Sequence, residues 1–461
     1  DLESPKRIDR LKVAASDFVA TAENGTEVGI VSFASDAETG SGRVSVPIAA
    51  LGANRSAWSD EIDDMAPDSM TNIGAGLQKA KDMIVAAGGV TANTYVVLMT
   101  DGVNNEPGGG ATAQADLDAK IADLLASGIP VFVTCTGGDL GLQSQCAEIA
   151  SGTNGTYSDS ADAARLPQNF VDFHERITGH QGVGTIDSKL KSIAGGHGVK
   201  FLVDQYSESA SFSLLWDNKA SSANAVLVDP SGTRHQTRAI PQGRYARIRN
   251  PLAGEWTMII NTDGPDSRAI ARAYVQNRIS NFVTSTRNPT QEPGEEIYVY
   301  ASARSMGGGL SEPGTKLVAN VTLPGGGTDT LELFDNGRDP GGHGDDMAGD
   351  GIYTGVYTNT SQKGAYGFSV TGAIDKWHQG SDPHKQNPTI MSPRFDRDVR
   401  VSAAVGSPGD VVTNPEDERP KPGKVDVNRW ILILILILLI LLIIMQWLCC
   451  RKRNPDPVVI R

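Results

Sequence analysis

The chain has 461 residues and a formal net charge of −13 at pH 7, which makes it too long for one ordinary hydrophobic core and of the wrong sign for a nucleic-acid partner. Its 51 glycines and 24 prolines, with aromatics at 6%, point to many turns and a large β component.

The first helix is expected after Ser4 as N-cap and Pro5 at the first helical position, with Ile8, Leu11, Ala15, Phe18 and Val19 on one face. Residues 27–33 read as a strand, and residues 43–49 alternate like one nearer an edge. A helix opening near Thr71 carries the stripe Ile73, Leu77, Ala80 and Ile84 and stops at Gly88. Strands 94–100 and 129–135, helices 113–128, 140–151 and 164–177, and a short strand near Thr156 complete the set. Continuous apolar strands separated by amphipathic helices predict an α/β doubly wound parallel sheet over residues 1–178.

Beyond residue 181 the helical patterns stop, and short strands divided by turn residues predict two antiparallel β-sandwiches, at 181–278 and 279–402. Residues 403–429 read as a Pro-rich charged stalk. Residues 430–450, apolar apart from Gln446 and bracketed by Trp430 and Trp447, read as a transmembrane helix, and the basic residues 451–461 as its cytoplasmic tail. The expectation is a single-pass membrane protein with residues 1–429 on the extracellular or periplasmic side and the lipid bilayer as a partner. The chain opens on Asp1 without an export signal, so a preceding segment is expected. Cys135 and Cys146 fit either one disulfide or two buried thiols.

Asp101 ends the strand VVLMT, and ligands gather at the carboxyl ends of strands in an open parallel sheet. The helix that opens near Thr71 starts at the same edge, so a carboxylate and a hydroxyl converge where a hard cation such as Mg²⁺ would suit them. Taken singly, an Asp-Gly is a turn and a Thr at a helix start is an N-cap. The loops MTDGVNN and PDSMTNIGAGL, in this βα order, resemble the von Willebrand factor type A domain over residues 1–178. The resemblance implies a metal-ion-dependent adhesion site, with Mg²⁺ (or Mn²⁺ or Ca²⁺) as cofactor and a protein or matrix ligand as partner. Thr71 matches the threonine of that site and Asp101 its third-loop aspartate. The Asp-x-Ser-x-Ser loop and the central strand before it are missing, so the remaining ligands are expected upstream of Asp1.

The order of domains, with PLAGEWTMIINT and LELFDNGRDPGGHGDDMAGDGIYTGVY, resembles the calcium-activated chloride channel regulator family and bacterial surface proteins of similar layout. This resemblance implies, as alternatives to adhesion, a regulator or accessory subunit of a membrane channel, or a metal-free envelope scaffold. Asp335, Asp345, Asp346 and Asp350 are candidate Ca²⁺ ligands, although acidic hairpin turns account for them equally well. The sequence carries no His-Glu-x-x-His, Gly-x-Ser-x-Gly, phosphate-binding Gly-x-x-x-x-Gly-Lys or Cys-x-x-Cys, and a binding protein rather than an enzyme is expected.

Overall fold

A computed structural model describes most of residues 7–405; residues 1–6, 406–461 and internal loops, among them 38–43, 68–69, 161–165, 191–196, 217–221, 312–315, 339–342 and 380–394, lie outside the described part. Residues 1–411 group as one unit, and none of the second unit, 412–461, is described.

The N-terminal region runs α1 (Arg7–Thr21), β1 (Glu27–Val31), β2 (Ser45–Ala50), α2 (Arg55–Asp63), α3 (Ile73–Ala86), β3 (Val96–Thr100), α4 (Gly110–Ala126), β4 (Val131–Thr136), α5 (Leu140–Gly152), β5 (Thr156–Ser160) and α6 (Leu166–Ile177). Strands β3, β4 and β5 form a parallel sheet, with Val96 opposite Val131 and Phe132 opposite Thr156. Every residue of β4 is buried, as a central strand covered on both faces requires.

The expected single parallel sheet is corrected here. Strands β1 and β2 pair antiparallel with each other and form a separate two-stranded sheet, and no described strand joins β1 to β3. Side chains hold the two pieces together instead. On one face α3 places Ile73, Leu77 and Ile84 among Phe33, Ile48 and Val96. On the other, α1 packs Val19 with Val28 and Ile30, and Ala14 and Leu11 with Val97 and Met99.

The transmembrane helix is corrected as well. No helix among the described residues is long and apolar enough to cross a membrane, and residues 430–450 lie outside the described part. The longest described helix, α4, has 17 residues and buries only Ala113, Leu117, Ile121 and Leu124, whereas a bilayer needs about 20 apolar residues. Among the described residues no helix supports the single-pass placement, the bilayer as partner or the two-sided topology expected from the sequence. The strand Phe395–Val405 takes in the first residues of the expected stalk, and residues 406–429 lie outside the described part.

All strands after residue 180 pair antiparallel except the short Thr290–Gln291, which runs parallel to Phe395–Val405. In chain order they start with β6 (Gln181–Leu190), β7 (His197–Val203), β8 (Ser207–Trp216), β9 (Ser222–Val228), β10 (Arg234–Gln236), β11 (Arg238–Ile240), β12 (Gly243–Arg249), β13 (Gly254–Asp263) and β14 (Ser267–Asn277). The sheet β10-β9-β13-β7 and the run β11-β12-β8-β14-β6 share one core, with Phe201, Phe212, Leu214, Leu227, Trp256 and Met258 at its centre. A second core gathers Val299, Leu317, Leu333, Tyr353, Tyr366 and Phe368 from strands after residue 280. The two β regions are not independent sheets. The strand Phe395–Val405 pairs with Gly364–Ile374 along its length and touches β6 at Asp398 and Gly182, so one sheet passes from the first region into the second.

The helices meet the first β region through an apolar cluster, Val171 with Leu215, Ile240, Tyr245 and Tyr274, and through buried charge. Glu175, fully buried on α6, accepts hydrogen bonds from the Tyr245 hydroxyl (2.6 Å) and from Arg247 Nη2 to both carboxylate oxygens (3.0 Å each). Burial pushes Glu175 up, but Arg247, helped by His180 and His174, outweighs it and holds the carboxyl below its usual range. Arg247 also donates to Glu23, and His180 bonds Ser209 through Nε2 (2.7 Å). Asp172 of α6 pairs with Arg272 and accepts from the Tyr274 hydroxyl of β14. Asp17 of α1 is buried with it: Oδ1 accepts from the Gln242 backbone N–H (3.2 Å), and Oδ2 has no hydrogen-bond partner among the described residues.

Candidate metal-dependent binding site

Thr71 and Asp101 lie on two loops that are stitched together. The helix cap is Asn72, not Thr71: its Oδ1 accepts from Ala75 N–H (2.9 Å), and its amide donates to Ser35 O (3.1 Å). The N-cap reading of Thr71 is thereby displaced one residue along the chain. The Thr71 N–H donates to Asn105 Oδ1 (2.8 Å), and the Thr71 carbonyl accepts from the backbone N–H groups of Asn105 (2.9 Å) and Glu106 (3.2 Å).

The Thr71 hydroxyl rests against the start of the Asp101 loop. A Cβ added to Gly102 would fall 2.6 Å from Thr71 Oγ1, so only glycine lets these two segments approach. Gly102 is held by Thr100, whose Oγ1 accepts from Gly102 N–H (3.2 Å) and donates to Gly102 O (3.0 Å). The Asp101 side chain is 53% exposed at the strand exit, with Arg7 Nη1 3.9 Å from Oδ2. Both side chains are exposed, so the pair adds little attraction.

Beneath these loops Asn104 is buried. Its Oδ1 accepts from Ile73 N–H (2.7 Å), its Nδ2 donates to Ala113 O (2.9 Å), and its backbone N–H donates to Gln145 Oε1 (2.8 Å). Next to Gln145, Cys146 of α5 is bonded to Cys135 of β4, both sulfurs buried. Cys135 is the register partner of Thr100, so the disulfide lies at the same sheet edge as Asp101, one strand over.

Elsewhere, the carboxylates of Asp335, Asp345 and Asp350 come within 4.8 Å of one another. Asp346 does not join them; its side chain is 89% exposed and faces Arg338 at 3.6 Å. Asp335 Oδ1 accepts from Gly349 N–H (2.6 Å) and Asp350 N–H (3.3 Å), and its Oδ2 from Gly351 N–H (3.0 Å). Asp345 Oδ2 accepts from Gly337 N–H (2.6 Å), and Asp350 Oδ1 from Ile352 N–H (2.8 Å). Burial raises the Asp350 carboxyl above its usual range, against the Ile352 N–H, and Asp335 and Asp345 add to the rise.

The family model for the von Willebrand factor type A domain matches residues 4–172. This segment is a von Willebrand factor type A domain. Among curated proteins, calcium-activated chloride channel regulator 1 of Bos taurus is 24% identical over 80% of this chain, and regulator 3A-1 of Mus musculus 25% identical over 65%. The chain spans 40% of the length of the first and 33% of the second. Among solved structures, a von Willebrand factor type A protein from Catenulispora acidiphila aligns over 66% of this chain and 60% of its own, at 16% identity and a TM-score of 0.33. Within the type A domain the sequence offers Thr71 and Asp101 as candidates and does not single out Asn105 and Gln145, whose side chains tie the loops. The pair Asn104-Asn105 follows Asp101-Gly102 after one residue, Val103, and nothing in that spacing marks Asn104 as buried.

Proposed function

We propose that the type A domain binds a protein ligand through a divalent cation held between the Thr71 hydroxyl and the Asp101 carboxylate. The observation that carries this reading is the close approach of Thr71 Oγ1 to Gly102, which brings the hydroxyl against the residue that follows Asp101, whose exposed carboxylate stands at the carboxyl end of β3. The donor set fits a hard cation: both atoms are oxygens, one of them anionic, and an octahedral Mg²⁺ leaves further positions for water and for a ligand carboxylate. The cation would supply a concentrated positive charge that an acidic side chain of the partner can reach. The test is Mn²⁺ titration of the chain followed by water-proton relaxation. Binding lost on Asp101→Ala and on chelation supports the site; relaxation that is the same in wild type and Asp101→Ala rejects it and leaves a metal-free scaffold.

The two curated relatives, both named as channel regulators, favour a second reading in which the domain acts on a membrane channel as an accessory subunit. Co-expression with a chloride channel would then alter its current. The gathered carboxylates of Asp335, Asp345 and Asp350 support Ca²⁺ in the second β region, tested by a Ca²⁺-dependent rise in melting temperature that Asp345→Asn abolishes.

A further inference from the structure

We propose that Asn104, anchored by Gln145, is the positioning residue of the Thr71–Asp101 site, a role that rests on the metal reading above. Asn104 is not a ligand. Its side chain is 7% exposed, and both ends of its amide are engaged within the protein, Oδ1 by Ile73 N–H and Nδ2 by Ala113 O. What it joins decides its role. Ile73 opens α3, two residues after Thr71, while Asn104 itself lies three residues after Asp101, so this one side chain links the two ligand-bearing loops from below.

The link is anchored at both ends. Asn104 N–H donates to Gln145 Oε1 at 2.8 Å, and Gln145 Nε2 donates to Gln114 Oε1 at 3.2 Å, so α5 and α4 brace the loop. The next residue of α5, Cys146, is bonded to β4, the strand beside β3. On the outer side Asn105 repeats the device by accepting from Thr71 N–H. The spacing of the two loops is therefore set by two amide side chains, each engaged with backbone N–H groups of the Thr71 segment. Residues that orient metal ligands without touching the metal typically change affinity by 10- to 100-fold when removed.

The experiment uses the full chain and reads loop register and metal separately. Asn104→Ala is expected to raise amide hydrogen exchange at Thr71 and Ile73 about tenfold or more, with exchange in β4 and β12 unchanged, and to weaken Mn²⁺ about tenfold or more although both ligand atoms remain. Gln145→Ala, which leaves Asn104 in place, carries the same test if Asn104→Ala does not fold. Unchanged exchange at Thr71 and Ile73 in Asn104→Ala or Gln145→Ala overturns the inference. Wild-type Mn²⁺ affinity in these variants, with loss in Asp101→Ala, overturns it while sparing the metal reading. No Mn²⁺ binding by the wild type overturns the metal reading and the site role of Asn104 with it, and exchange alone then decides whether Asn104 clamps the loops.

Discussion

Replacing Asp17 by Asn should change how the stability of the folded unit depends on pH, and the size follows from the place of one carboxyl. Burial pushes Asp17 up from the model-peptide value of 3.8 to about 7, against the Gln242 N–H that pulls it down. Below pH 3.8 the carboxyl is protonated folded and unfolded, so its titration has no effect on stability. Between pH 4 and 7 the unfolded chain releases the proton and the folded one keeps it, so stability falls as pH rises, by about 4 kcal/mol once the pH passes 7. Asn does not titrate. It keeps an oxygen for Gln242 N–H but turns an amide N–H toward the site of Oδ2, at a pH-independent cost of about 1–3 kcal/mol. The stability of Asp17→Asn relative to wild type should therefore rise by up to about 4 kcal/mol from pH 4 to pH 8, whatever that constant cost.

His174, across the same joint, works in the opposite sense. Burial lowers it from 6.5 to about 4, so it stays neutral when folded, and stability is lost as pH falls from 6.5 toward 4, by about 3 kcal/mol. The imidazole packs edge-on against Phe18, and Arg247 Nη2 lies 3.4 Å from Nε2; Glu23, Glu175 and His180 are the other titratable groups that act on it. In wild type the two slopes offset each other between pH 4 and 6.5, and Asp17→Asn should expose the acid loss due to histidine. Urea unfolding at half-unit pH steps measures both. A difference between variant and wild type that stays flat within about 0.5 kcal/mol from pH 4 to 8 refutes the assignment of Asp17.

Glu175→Gln leaves Arg247 buried without its bidentate partner and should cost about 3–5 kcal/mol, read by urea unfolding, with the largest rise in hydrogen exchange in α6 and β12. Asp335→Ala removes the acceptor of three backbone N–H groups and should lower stability by about 2–4 kcal/mol, with exchange rising at Gly349 and Gly351. Cys146→Ser opens a disulfide that closes an 11-residue separation; about 3 kcal/mol of stability should go, read as a lower urea midpoint, with faster exchange at the Asn104 N–H that Gln145 holds. Gly102→Ala drives a methyl to 2.6 Å from Thr71 Oγ1 and should weaken Mn²⁺ in the relaxation assay while leaving the far-UV circular dichroism unchanged.

The elements of the type A domain were legible because their periods differ. The stripe Ile73, Leu77, Ile84 can only be one face of a helix, and the run VFVTC in β4 only a strand covered on both sides. The division of the sheet was harder to see. The antiparallel pairing of β1 with β2 depends on which edge each strand presents, and strand period alone does not report that. The fusion of the two β regions was hidden for a related reason. It includes a bridge, Asp398 to Gly182, between segments more than two hundred residues apart, the buried pair of Arg397 with Asp204 beside it (3.1 Å), and bonds from Gln181 to Phe282 and Arg397. Arg397, Asp398 and Asp204 each read by themselves as ordinary surface charges.

The same limit governs the site. Thr71 and Asp101 could be read because each sits at an element boundary, where the chain has to expose backbone and polar side chains to the sheet edge. Asn104 and Gln145 could not, since an asparagine in a polar loop and a glutamine in an amphipathic helix are typical surface residues, and their burial follows only from the packing of α5 and α4 against the loop. Burial changes what these amides do. At the surface each would exchange hydrogen bonds with water at little net gain, whereas inside, an amide atom left without its partner costs about 1–3 kcal/mol. The loops that carry Thr71 and Asp101 thus cannot drift apart without breaking bonds that water is not there to replace. The proposed site at the exposed edge would take its spacing from these buried residues, which do not reach it.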